Sequence, residues 1–202
     1  ARAARARCRA GVSRLRAAVL RLGAFLAVAA AGYAAVLLLM WSTQERLIFL
    51  GQPLRAEYRF AFGADVHERW VDVPGARLHA LHLRLPAPDG VVFFLHGNAG
   101  NLAGWFADVD FYRRANHDLV MLDYRGYGKS SGRITSQAQL EADVRAAWDA
   151  LVPADDGVRR AIVGQSLGAP LAASLAADVR PDALVLVTPF ESLEALAGEA
   201  FP

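Results

Sequence analysis

Ala161-Ile162-Val163-Gly164-Gln165-Ser166-Leu167-Gly168-Ala169-Pro170 is the stretch from which the rest of this chain is read. Three apolar residues suited to a buried strand run into Gly-x-Ser-x-Gly, and a helix-forming run from Leu171 to Val179 follows at once. This order is the context of a nucleophile elbow, a sharp strand-to-helix turn with a serine at its tip. A turn that tight leaves no room for Cβ atoms, so Gly164 and Gly168 are expected where helix and strand approach closely. Ser166 is expected in a strained backbone conformation that lifts its Oγ above the sheet. Pro170 fits the first helical turn, where its missing donor has no intrahelical partner. A glycine-flanked structural serine on an ordinary loop is the alternative, and the strand–turn–helix context argues against it.

Upstream, Val91-Val92-Phe93-Phe94-Leu95 is a continuous apolar run, the mark of a strand buried on both faces of a parallel sheet. It ends in His96-Gly97-Asn98-Ala99-Gly100-Asn101. Asn101 is a good N-cap for a helix expected to run to Arg114. The segment from Asp118 to Asp123 reads as the next strand and opens into the glycine-rich loop Tyr124–Gly132. Ser136 is a candidate cap for a helix to Leu151 with Leu140, Val144, Ala147 and Leu151 along one face. Ala183 to Val187 reads as a last strand. Before all of these, Trp70–Val73 and Leu78–Leu85 flank a Pro74-Gly75 turn and read as two antiparallel strands, with His79 and His82 expected at the surface. The alternation of strands and helices defines an α/β fold with a mostly parallel sheet, flanked by helices and joined by right-handed crossovers.

The N-terminus has a different character. Seven arginines and no acidic residue fall within the first 21 positions, and Leu22 to Trp41 then runs twenty residues without a charge. Such a run matches a hydrocarbon core of roughly 30 Å. The apolar share of the whole chain, 54%, is high for the same reason. We therefore expect a single-pass transmembrane helix, with the arginines holding the N-terminus in the cytoplasm and the body on the far side. A cleaved signal peptide is the runner-up, but its apolar region spans only about 7–15 residues. The expected division is residues 1–45 as Arg-rich lead and anchor, and 46–202 as the folded domain, with Thr43–Leu54 as a connector.

Charge and cysteine content exclude other classes. The net charge of +2 conceals a body in which 15 basic residues face 20 acidic ones. This body lacks the basic stripe a nucleic-acid binder needs, so no nucleic acid is expected as a partner. The single cysteine, Cys8, excludes an internal disulfide framework and gives no metal-ligand spacing. Gly128-Lys129-Ser130 resembles the end of a phosphate-binding loop, but Asp123 stands where that motif needs its first glycine. The segment Gly97-Asn98-Ala99-Gly100 does not match a dinucleotide fingerprint.

Sites in open α/β sheets form at the carboxyl ends of strands. Three distinctive loops lie there: His96–Asn101, Asp123–Gly132 and Gly164–Gly168. An acyl-transfer site needs a nucleophile and donors aimed at the developing oxyanion. Ser166 would supply the first, the backbone N–H of Leu167 one donor, and that of Asn98, or failing it Ala99, the second.

These three motifs in this order resemble the α/β-hydrolase superfamily, and more narrowly the Bem46-like membrane-anchored serine hydrolases, over roughly residues 45–202. The resemblance implies an esterase or lipase-like activity with no metal and no cofactor. Its substrate would be a small-molecule or lipid ester, and the membrane would be reached through the N-terminal helix. It also implies supporting roles for His96, Gly97, Asp123, Gly164, Gln165 and Gly168, with His96 buttressing the oxyanion loop. A peptidase of the same fold and a non-catalytic binding protein are the alternatives.

The triad order of the fold is Ser, then Asp or Glu, then His. All five histidines here precede Ser166, and of the downstream acids only Glu191, which follows the last strand's carboxyl end, is a plausible partner, although the family usually places its acid one strand later. The expectation is a sequence lacking its last strands, with the catalytic acid and histidine beyond Pro202 and little activity in residues 1–202 alone.

Overall fold

The computed structural model describes residues 2–154 and 157–189, in two compact units parted between Ile48 and Phe49. Glu191 lies outside the described residues. The first unit is one helix, α1, Arg2–Ile48. Its segment Val19–Thr43, 25 residues of mean hydropathy 2.3 with none of its apolar window buried, is long and apolar enough to cross a membrane by length and composition. The hydroxyls of Ser42 and Thr43 both donate to the Leu39 carbonyl, at 2.9 and 2.7 Å, so neither leaves its donor unpaired at the end of the apolar run.

The second unit carries a six-stranded sheet. Its strands are β2 (Val66–Val73), β3 (Ala76–Leu83), β4 (Gly90–Leu95), β6 (His117–Leu122), β7 (Arg159–Gln165) and β8 (Ala183–Val187), in the spatial order β2-β3-β6-β4-β7-β8. β6, β4, β7 and β8 are parallel, and β2 and β3 extend the sheet antiparallel beyond β6. Two short strands, β1 (Leu50–Gly51) and β5 (Ala99–Gly100), form a separate parallel pair. The helices among its described residues are α2 (Leu102–Trp105), α3 (Val109–Arg114), α4 (Gln137–Leu151) and α5 (Gly168–Val179).

The two-residue period of the strands divides the core between the sheet's faces. Val91, Phe93 and Leu95 of β4, with Val120 and Leu122 of β6, pack under Leu140, Val144 and Trp148 of α4 and Leu171 and Leu175 of α5. Val92, Leu119 and Met121 face the other way, against Leu102, Phe106 and Val109. Phe93 and Trp148 meet edge to face at 5.6 Å, the arrangement aromatic quadrupoles prefer. Each such fully buried side chain contributes about 1.5–3 kcal/mol. Because β4 is central and continuously apolar, α2 and α3 after it cover one face, while α4 and α5 cover the other. The chain leaves β4 toward β6 and β7 toward β8, so the strand order reverses between β4 and β7, the place where sites form in open α/β sheets.

Capping matches the sequence reading. Asn101 Oδ1 accepts from Ala103 N–H at 2.9 Å, and Ser136 Oγ accepts from Gln139 N–H at 3.1 Å. The helix expected over 101–114 is instead α2, a 3-10 turn at Phe106–Asp108 and α3. α4 is also tied down by charge. Arg125, on the loop after β6, makes a two-pronged pair with Asp143 at 2.5 and 2.8 Å, both side chains buried, and a third bond to the Pro74 carbonyl at 3.0 Å. Removing one partner strands a buried charge, which costs about 3–5 kcal/mol. Asp143→Ala in the full-length protein is expected to lose that much stability, read from thermal or denaturant unfolding.

Two expectations need correction. The connector expected over Thr43–Leu54 is divided: α1 continues to Ile48, and Leu50 to Leu54 belongs to the second unit and hydrogen-bonds within it. His79 and His82 are not at the surface; their exposures are 0% and 6%. β3 lies between β2 and β6, and both its faces are covered, so the alternation of an edge hairpin does not apply. His79 Nε2 meets Glu68 Oε2 at 2.9 Å, and its ring stacks on Phe60. Burial pushes the His82 imidazole below its ordinary range and outweighs the opposing effect of Asp118, 3.5 Å away. The unfolded chain then takes up a proton near pH 6.5 that the folded chain resists. Stability should be fully present above that pH and decline as pH falls below it, and His82→Gln should flatten the decline in a thermal-midpoint series.

Candidate active site

Ser166 occupies the turn between β7 and α5 with φ of 52°, a left-handed conformation costing a non-glycine residue about 1–3 kcal/mol. The surroundings hold it there. Its N–H donates to the Val187 carbonyl of β8 at 2.9 Å, and its own carbonyl accepts from Ala169 N–H at 2.8 Å. The flanking glycines are required by close approach. A Cβ on Gly164 would lie 2.4 Å from the Gly168 carbonyl oxygen and 2.5 Å from Ala172 Cβ, and one on Gly168 would lie 2.0 Å from the Leu95 carbonyl oxygen. Gln165 ends β7, paired with Val187, and Leu167 is buried at the N-terminus of α5.

The loop after β4 passes directly beside the serine. A Cβ built on Gly97 would be 3.6 Å from Ser166 Cβ and 3.1 Å from the tip of the Trp105 indole. Any side chain at 97 would fill the gap between them. Trp105 is held by its Nε1–H donating to the Ala99 carbonyl at 2.6 Å. His96 is fully buried, stacked on Trp105 and packed on Tyr124. Its Nδ1–H donates to the Gly97 carbonyl at 2.7 Å, and Nε2 faces Asp123 Oδ1 at 3.5 Å. The first of these bonds fixes the plane of the peptide joining Gly97 to Asn98. Because a trans peptide points its N–H opposite its carbonyl, the same bond sets the direction of the Asn98 N–H. The Tyr124 hydroxyl donates to the His96 carbonyl at 2.8 Å.

Asp123, fully buried at the end of β6, accepts from Leu102 N–H at 3.1 Å through Oδ1. Gly128, with φ of +48°, leaves no room for a Cβ beside Asp123 Oδ2, 1.9 Å from where it would stand. The structure thus brings together Ser166, Leu167, Gly97 and the His96–Asn98 loop at the ends of β4 and β7, with Asp123 behind that loop. Tyr127 and the Leu50–Gln52 segment also belong to this cluster and were not singled out in the sequence; Tyr127 at least lies inside a distinctive motif. Among the described residues no group of His, Cys, Asp and Glu is placed to hold a metal.

Comparisons with known proteins bear on the family and the fold. The family described as serine aminopeptidase, S33 (Hydrolase_4) matches residues 86–199. An uncharacterized protein of Mycobacterium tuberculosis, Rv2307c, is 34% identical over 188 residues, 89% of this chain and 64% of that protein. Protein bem46 of Schizosaccharomyces pombe is 32% identical over 129 residues, 60% of this chain and 43% of that one. In fold, XC6422 of Xanthomonas campestris, described as an a/b serine hydrolase without lid, superposes with TM-score 0.54 at 18% identity, over 65% of this chain and 64% of that one. The chain belongs to the α/β-hydrolase superfamily, in the serine aminopeptidase S33 family, and within it is Bem46-like. It spans less than two thirds of the length of these curated relatives.

Proposed function

We propose that the protein is a serine hydrolase that cleaves carboxylic esters through an acyl-enzyme on Ser166. The observation that supports this is the left-handed Ser166 with the Gly97 backbone beside it, where any side chain at 97 would fill the space next to the serine. Ser166 Oγ adds to the ester carbonyl, and the Leu167 and Asn98 N–H groups receive the oxyanion. The alkoxide leaves as the alcohol, and water releases the acid. A histidine base must take the serine proton. His96 does not fit that role, since its Nδ1 is spent on Gly97 and its Nε2 is turned to Asp123.

A fluorophosphonate probe should label the full-length protein on the peptide containing Ser166, and short-chain nitrophenyl esters should be hydrolysed. The family's description favours a second reading, an aminopeptidase of the same fold. Faster turnover of aminoacyl amides than of esters would establish that reading instead, and absence of both labelling and turnover would refute Ser166 as a nucleophile. We further propose that Val19–Thr43 anchors the protein in a membrane, N-terminus cytoplasmic and hydrolase body outside, on the strength of the arginines before it. Alkaline carbonate should leave the full-length protein in the membrane fraction, and external protease should reach the body; release by carbonate would refute the anchor.

A further inference from the structure

The loop expected to supply the Asn98 donor is held from its far side by Tyr127 and by the segment that begins the second unit. The Tyr127 hydroxyl lies 2.8 Å from both the Asn98 carbonyl and Asn98 Oδ1. Asn98 Oδ1 also accepts from Leu50 N–H at 3.4 Å. Leu50 and Gly51 pair in parallel with Ala99 and Gly100, and Gln52 N–H donates to the Gly100 carbonyl at 3.0 Å. The Gln52 carbonyl accepts from Asn101 Nδ2 at 2.9 Å and from Gly128 N–H at 3.1 Å, and Leu54 N–H donates back to Gly128 at 2.7 Å. Gly51 lies flat on the Tyr127 ring, where a Cβ would be 2.8 Å from Cγ and Cδ2. Four backbone positions before the main sheet thus bind both the loop beside the nucleophile and the loop after β6.

We propose that Tyr127, braced by the Leu50–Gln52 strap, is a positioning residue for the oxyanion loop: by holding the peptide that follows Asn98 it keeps that residue in place, while the His96 bond to the Gly97 carbonyl sets the direction of the Asn98 N–H. His96 fixes the peptide on the N-terminal side of Asn98, through the Gly97 carbonyl, and Tyr127 fixes the one on the C-terminal side. With both neighbours pinned, the Asn98 N–H has one direction, which is what a preorganised oxyanion donor requires. Burial raises the Tyr127 phenol above its ordinary range, so it remains a donor throughout neutral pH. The inference rests on the ester-hydrolase reading of Ser166.

The test is Tyr127→Phe in the full-length protein, which removes the hydroxyl and keeps the ring against Gly51. Deleting an oxyanion donor outright costs about 10²–10³ in kcat; loosening one should cost about tenfold or more. We expect kcat to fall by that factor with KM unchanged, turnover counted per fluorophosphonate-reactive site, and a thermal midpoint close to that of the parent. Gly51→Ala, pressing on the ring from the strap side, should give the same kinetic signature, and the double variant should be little worse than either single one. Turnover per reactive site within twofold of the parent, a change confined to KM, or fewer reactive sites with normal turnover each would overturn the proposal. Ser166→Ala run alongside separates the two ideas: activity surviving there refutes the nucleophile, whereas its loss with an unaffected Tyr127→Phe refutes the strap alone.

Discussion

Ser166→Ala in the full-length protein is expected to abolish fluorophosphonate labelling and to lower ester turnover by a factor on the order of 10⁶. The size follows from the division of labour. Without its nucleophile a serine hydrolase keeps only the stabilisation given by oxyanion donors and substrate binding, typically about 10³–10⁴-fold over water. Alanine also removes no packing: the turn is held by backbone bonds, Ser166 N–H to Val187 and Ala169 N–H to Ser166. Stability should therefore change little, and the loss should be kinetic. Turnover comparable to the parent would mean that the strained turn presents something other than a nucleophile.

Gly168→Ala is expected to have the second largest effect, and on the fold itself. The new methyl would stand 2.0 Å from the Leu95 carbonyl oxygen and 2.5 Å from its carbon, both backbone atoms of the central strand β4. A flexible side chain could turn away; this carbonyl cannot. Overpacking of this kind costs about 1–3 kcal/mol and at times more, and here the upper end or beyond is expected. For a domain of this size that lowers the thermal midpoint by roughly 6–12 °C. Ester turnover should fall as well, since α5 begins at Gly168 and carries the Leu167 amide. Gly104→Ala is the internal control: it is helical, and a Cβ there meets nothing within 4 Å. It should be neutral or slightly stabilising.

The parts of the molecule that could be read in the sequence are those whose constraint is local. Gly164, Ser166 and Gly168 announce the elbow because one tight turn demands all three. The apolar run before His96 announces a doubly covered strand because nothing polar interrupts it. His79 and His82 carry no local sign of burial: His82 is covered through β6, some forty residues further along the chain, and His79 through Phe60, Glu68 and Trp70, which reach it only when β2 and the segment before it fold onto β3. The strap was invisible for the same reason. Leu50, Gly51 and Gln52 show no pattern of their own, and their partners, Ala99 to Asn101 and Gly128, become adjacent only when the sheet forms. The direction of the Asn98 N–H was beyond sequence altogether, since it follows from a ring nitrogen finding the preceding carbonyl.

The central place of β4 also bears on how the protein is made. β4 ends at Leu95, but its parallel neighbours end at Leu122 and Gln165. At about 5–20 residues per second of synthesis, the second neighbour is complete roughly 4–14 s after β4 itself. Throughout that interval the run Val91-Val92-Phe93-Phe94-Leu95 has an open side with strand-forming side chains and no charge, the kind of segment that pairs with other chains. Asp89 and Gly90 before it and the Gly97-Asn98 pair after it keep that segment short. Yield of folded protein should accordingly depend on translation rate between residues 95 and 165 more than on the final stability of the fold.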